Sequence, residues 1–275
     1  FPSHPPFYRA IEQNGRRLAR SELAERGSKY VFDFEDMERK IEREQVKLYI
    51  LCSPQNPTGR VWTREELSRV GEICLRHGVK VVSDEIHFDI TYPGHEHSVF
   101  ASISEELAAN SVVLTAPSKT FNIAGMTISN VVISNQELRE RVKATVARDM
   151  GGYFNSFGDA ACEAAYKSAG PWLDECLKVL EGRLFTDFLA GRVPVFSCHM
   201  PEGTYLAWMD GRRSGLSPEE LTAFLHGDAR FYTEGGDVFG SGYELFHRVN
   251  LACPREYIEK ALLRLEAAAK ARGLI

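Results

Sequence analysis

Long apolar runs are missing from this sequence: none approaches the ~18 to 20 residues that a helix needs to cross a bilayer, so no transmembrane helix is expected. Basic residues are not in excess, with 33 Lys and Arg against 38 Asp and Glu and a formal charge of −5. A net-negative chain offers no broad cationic field, which disfavours nucleic acid and anionic membranes and points to a small molecule or another subunit as partner. The six cysteines (Cys52, Cys74, Cys162, Cys176, Cys198 and Cys253) are scattered, with no CxxC pair and no secretory pattern, so reduced thiols in a soluble cytoplasmic protein are expected. There is no P-loop, no GxGxxG after a strand, no GxSxG elbow and no HExxH, which removes nucleotide, serine-hydrolase and zinc-protease readings. His95 and His97 in PGHEH lack further metal ligands nearby in sequence and read as a polar turn. Repeats, low-complexity tracts and Gly/Pro/Ser-rich linkers are also lacking. No initiator methionine opens the chain, and FPSHPPFYRAIEQNG resembles the approach to a helix in mid-domain, so an amino-terminal segment is expected to be absent.

What is present is an alternation of strand-like apolar runs with helical patterns, which argues for βαβ units and a mostly parallel sheet flanked by helices, an α/β fold. LYILC at 48–52 is the first clear strand. Thr63 and Glu66 form a capping box, Leu67, Val70, Ile73 and Cys74 repeat at helical spacing, and Gly78 supplies a left-handed stop. Buried strands follow at 79–83, ending at Asp84, and at 111–116, ending just before Ser118 and Lys119. Ligands of open α/β sheets bind beyond the carboxyl ends of the strands, where Asp84 and Lys119 are expected. From about residue 155 long helical stretches take over, EAAYKSAGPWLDECLKVLEG among them, with Pro171 marking a kink or break. Strand TYLAWMD at 204–210, a short helix after Ser217, a glycine-rich loop at 234–242, a strand around LFHRVNLA and a last helix from Pro254 complete a smaller α+β unit. The expected division is a large domain at 1–170 and a small carboxy-terminal domain at 171–275.

Four segments carry the chemistry: SPQNPTG at 53–59, SDEIH at 83–87, APSKTFNIAG at 116–125 and FHRVNLACPR at 246–255. In order and spacing they resemble the fold-type I pyridoxal-phosphate (PLP) enzymes, and within them the cystathionine β-lyase branch of the MalY/PatB type, over essentially the whole chain. The resemblance implies PLP as cofactor, with Lys119 carrying it as a Schiff base and then acting as base at the substrate Cα. It implies Asp84 at the ring nitrogen, Asn56 as donor to the phenolic oxygen, and Arg248 as clamp for the substrate carboxylate, supported by Asn250 and the TYLAW strand. These residue types suit the roles: a carboxylate favours a protonated ring nitrogen, and a guanidinium fork binds carboxylates bidentately. Each also has a structural alternative. Lys119 could be a surface charge, Asp84 a helix cap, Asn56 a turn-former before proline, and Arg248 an ordinary ion-pair partner.

Aminotransferases of this fold usually carry an arginine eight residues after the lysine, where this chain has Thr127, and a tyrosine three residues after the aspartate, where it has His87. Both departures match the lyase branch. Ala116 replaces a common hydroxyl three residues before Lys119, leaving Ser118 as a phosphate contact. Remaining phosphate ligands in relatives come from backbone amides at a helix start upstream of this sequence. His4 stands where an aromatic residue often stacks on the cofactor. The resemblance therefore implies β-elimination from cystathionine or cysteine-type amino acids, with an aminotransferase or a cofactor-poor regulatory relative as alternatives, and a homodimer as assembly.

Overall fold

The structure, a computed structural model, describes residues 1–150, 155–180 and 182–275. In chain order its strands are β1 (Leu23–Arg26), β2 (Lys29–Phe32), β3 (Leu48–Cys52), β4 (Lys80–Asp84), β5 (Ser111–Thr115), β6 (Asn130–Val132), β7 (Ser197–Cys198), β8 (Leu206–Asp210), β9 (Glu234–Gly235) and β10 (Phe246–Asn250). Contacts divide the chain into two compact units. One comprises Phe1–Asp33, Gln55–Arg60 and Cys176–Ile275; the other comprises Phe34–Pro54 and Val61–Glu175.

This division differs from the expected one at 1–170 and 171–275. The amino-terminal residues go with the carboxy-terminal part because hydrogen bonds bind them there: Ser3 N–H donates to Phe239 O at 3.0 Å, and the Tyr8 hydroxyl donates to Val238 O at 2.6 Å. Such pairings join segments far apart in sequence and leave no local pattern to read.

The second unit is built on a sheet of order β3-β4-β5-β6, parallel between β3, β4 and β5 and antiparallel at β6. The expected strands are present, with the second shifted to take in Asp84 and the third ending at Thr115. Helix Arg64–Arg76 begins at a complete capping box, in which Thr63 Oγ1 accepts from Glu66 N–H and the Glu66 carboxylate accepts from Thr63 N–H at 2.9 Å. It ends before Gly78, whose φ of 64° lies in the left-handed region that glycine enters without steric penalty. Leu67, Val70, Ile73 and Cys74 are all buried. Each of the three aliphatic side chains contributes about 1.5–3 kcal/mol by leaving water. Thr63→Ala removes one acceptor for the first turn and should lower stability by about 1 kcal/mol, readable as a shift in urea midpoint without a change in slope.

Beyond residue 155 the helical region is three helices, Ser156–Ser168, Gly170–Val179 and Gly182–Arg192. Pro171 lies in the first turn of the second, where its missing N–H costs nothing, so it starts a helix instead of kinking one. Glu181 of the expected helical stretch lies outside the described residues.

The other unit holds the β1-β2 hairpin and an antiparallel sheet of order β7-β8-β10-β9. β8 starts at Leu206, two residues later than expected, because Thr204 adopts φ 65° and breaks the extended run. Helix Pro218–Ala223 has its own capping box from Ser217 and Glu220. The last helix, Arg255–Arg272, packs Ile258, Leu262, Leu265 and Ala269 into a core with Phe185, Leu189, Met209, Leu221 and Phe224. Among the described residues no helix is long and apolar enough to cross a membrane.

Candidate active site

In the second unit the chemistry gathers at the carboxyl ends of β4 and β5. Asp84 closes β4, is buried, and is tied into the sheet where its carbonyl accepts from Ser53 N–H at 2.9 Å. Its carboxylate Oδ1 accepts from Ile86 N–H at 3.1 Å. Burial pushes the Asp84 carboxyl up from 3.8 to about 6; the Ile86 amide opposes this, Glu85 adds to it, and the positive charge of Lys119 lowers it. Lys119 sits in the short helix Pro117–Thr120, which follows β5 directly because Pro117 can begin a helix without an N–H partner. Ser118 and Lys119 are half-buried, and Ala116 before them is buried. His87 is buried beyond β4, its carbonyl accepting from Ile90 N–H at 2.9 Å. Thr127 is exposed, with φ 50°.

A network unremarked in the sequence supports this end of the sheet. Glu85 is fully buried and accepts from Ser83 Oγ at 2.8 Å and Phe100 N–H at 3.0 Å, while His97 Nε2 lies 2.8 Å from its other oxygen. His97 of the expected polar turn is therefore the partner of a buried acid. Thr120 Oγ1, next to Lys119, donates to Asp89 at 2.8 Å. The adjacent acids of SDEIH held a signal for this: two acids ending a buried strand cannot both face solvent, so one needs internal partners.

In the first unit Asn56 and Arg248 meet directly, with Arg248 Nη1 donating to Asn56 Oδ1 at 2.8 Å. The Asn56 turn is rigid. Gln55 Oε1 accepts from Thr58 N–H at 2.8 Å, Gln55 Nε2 donates to Pro2 O at 2.8 Å, and Gly59 O accepts from Glu202 and Gly203 N–H at 2.8 and 2.9 Å. Gly59 has φ 72°, and a Cβ there would lie 2.7 Å from Pro201 Cβ, so glycine alone fits. Arg248 lies on β10 opposite Trp208 of β8 and Glu234 of β9. Its Nη2 pairs with the Glu234 carboxylate, and its guanidinium carbon stands 4.9 Å over the Phe239 ring. The expected glycine-rich loop at 234–242 is thus partly strand and partly 3-10 turn. Asn250, expected beside Arg248, is exposed and spends its Oδ1 on Ala252 N–H at 2.8 Å. His4 precedes the first helix with its ring edge-on to Phe7, centroids 5.5 Å apart.

The model for "Aminotransferase class I and II" matches residues 1–265. This chain belongs to that family. Within the aminotransferase class I and II family it is 42% identical over 269 residues to cystathionine β-lyase PatB of Bacillus subtilis, covering 97% of this chain and 70% of that protein. It is 32% identical to protein MalY of Escherichia coli, covering 98% and 69%. Among solved structures it matches cystalysin of Treponema denticola, described as containing a pyridoxal 5′-phosphate cofactor, with a TM-score of 0.95 and 40% identity over 98% of this chain and 69% of that one. The chain therefore spans about 70% of the length of these relatives. The fold is that of the fold-type I enzymes, as the resemblance implied, and its α/β character is the one expected from the alternation of strands and helices.

Proposed function

We propose that this chain is a PLP-dependent carbon–sulfur β-lyase that acts on cystathionine or cysteine-type amino acids and yields pyruvate, ammonia and a thiol. The placement of Asp84 and Lys119 carries the reading: a buried acid closes β4, and an amine stands in the short helix that follows the neighbouring parallel strand β5. Within each unit the residue types suit the cofactor. Asp84, its carboxyl pushed up by burial, suits a protonated pyridine nitrogen, and Lys119 supplies the amine that an aldehyde requires. With its Oδ1 engaged by Arg248, Asn56 has only amide N–H groups to offer a ligand, and these are assigned to the phenolic oxygen. Ser118 is assigned to the phosphate, and His87 and His4 to the cofactor's surroundings.

When bound, PLP supplies an electron sink that stabilises negative charge at the carbon bearing the substrate amine. The chain's residues do the rest. Arg248 takes the substrate carboxylate and so orients the Cα–H bond. Lys119 Nζ accepts the Cα proton. The thiolate then leaves Cβ, and water releases pyruvate and ammonia. Likeness to lyases at Thr127 and His87, together with the named relatives, favours elimination over amino transfer. Incubation with cystathionine should release pyruvate, whereas alanine with a 2-oxo acid should give no exchange. Exchange without pyruvate would make the chain an aminotransferase instead. A cytoplasmic location and a homodimer, the assembly common for this fold, complete the proposal; sedimentation of the PLP-loaded protein at twice the 30.9 kDa chain mass supports the dimer, and at once that mass rejects it.

A further inference from the structure

We infer that Glu234 is an internal competitor for the substrate carboxylate at Arg248, and so a specificity-determining residue of this site. The inference rests on the reading of Arg248 as the carboxylate clamp. The pairing is set by the backbone: Glu234 and Arg248 are direct partners in the β9–β10 register, which brings their side chains to the same face of an antiparallel pair. Glu234 closes on Nη2 while Asn56 Oδ1 takes Nη1 at 2.8 Å, so both terminal nitrogens of the fork already have acceptors. Each terminal nitrogen carries a second N–H, so a ligand carboxylate that binds the fork end-on shares both nitrogens with these acceptors and lies beside the Glu234 charge. Asn56 is buried and held by a rigid turn, whereas the Glu234 side chain is 46% exposed and can swing into water. The acceptor displaced on binding is therefore Glu234.

Two consequences follow. A ligand carboxylate gains only the difference between its own contact and the one it displaces, which weakens carboxylate binding in general. A displaced but nearby Glu234 also disfavours ligands carrying a second carboxylate more than those carrying one. Because the pair is half open to solvent, the effect is several-fold and not orders of magnitude, and salt reduces it.

The test uses propionate, a monocarboxylate without an amine, titrated calorimetrically into the purified protein. Glu234→Gln keeps the shape and removes the charge; Glu234→Ser, a shorter side chain, guards against an effect specific to glutamine. Both variants should bind propionate about three- to tenfold more tightly than the parent at low salt, with the gap narrowing at about 0.5 M salt. Arg248→Gln should abolish this binding in either background. Unchanged propionate affinity in both Glu234 variants, with binding still lost in Arg248→Gln, overturns the competitor role and leaves the clamp standing. Propionate binding that survives Arg248→Gln overturns the clamp itself, and the inference with it.

Discussion

Lys119→Ala should reduce pyruvate release from cystathionine by at least about a thousandfold, because the same side chain is asked both to hold the cofactor and to accept the Cα proton. Losing a positioned base alone costs about 10²- to 10⁴-fold. The fold should be unaffected, since Lys119 is half-buried in a four-residue helix whose start depends on Pro117 and whose neighbour Thr120 is anchored on Asp89. A readout independent of turnover is available. Borohydride reduction of the PLP-loaded parent protein should leave a pyridoxyl mass on the peptide containing Lys119, and the alanine variant should carry none. Reduced label found on another lysine would remove Lys119 from the proposed role.

Asp84→Asn should move activity and stability in opposite directions. In the folded protein without cofactor the Asp84 carboxyl is raised from 3.8 to about 6, chiefly by burial, so ionisation is harder folded than unfolded. The sign follows: the stability carried by the neutral acid is fully present below pH 3.8 and is lost as the pH rises through about 6. At pH 8 the ionised, buried carboxylate costs on the order of 3 kcal/mol. Asparagine carries no such charge. The cofactor-free Asp84→Asn protein should therefore be more stable than its parent at pH 8, and the advantage should shrink below pH 4. Urea unfolding at both pH values measures this. Turnover should fall roughly 10- to 150-fold, the equivalent of one charge-assisted hydrogen bond to the ring nitrogen. A variant less stable than the parent at pH 8 would mean that Asp84 is already paired with a positive charge stronger than Lys119 provides.

Much of the second unit was legible in advance. A capping box, a buried helical stripe and a glycine stop are all local features, and they delimit Arg64–Arg76 to within a residue. Apolar runs ending at Asp84 and before Lys119 mark strands whose carboxyl ends must emerge together, because consecutive parallel strands point the same way. The His97 partner to Glu85 was not legible, as a histidine in a polar turn looks alike whether or not a buried acid waits inside the sheet. Asn250 illustrates the reverse: it shares a strand with Arg248, yet its oxygen is taken by the next turn.

The amino-acid sequence by itself determined the α/β alternation and the strand ends that carry Asp84 and Lys119, since each depends on periodicity within a few dozen residues, and four segments between 53 and 255 carried the family resemblance. Only the tertiary structure decided which acceptors hold Arg248. Asn56 lies 192 positions away and is brought to it by a turn locked against Glu202 and Gly203, while Glu234 reaches it through the β9–β10 register. Side chains so distant along the chain meet because strand pairing and backbone hydrogen bonds place them together, and that placement has no local signature.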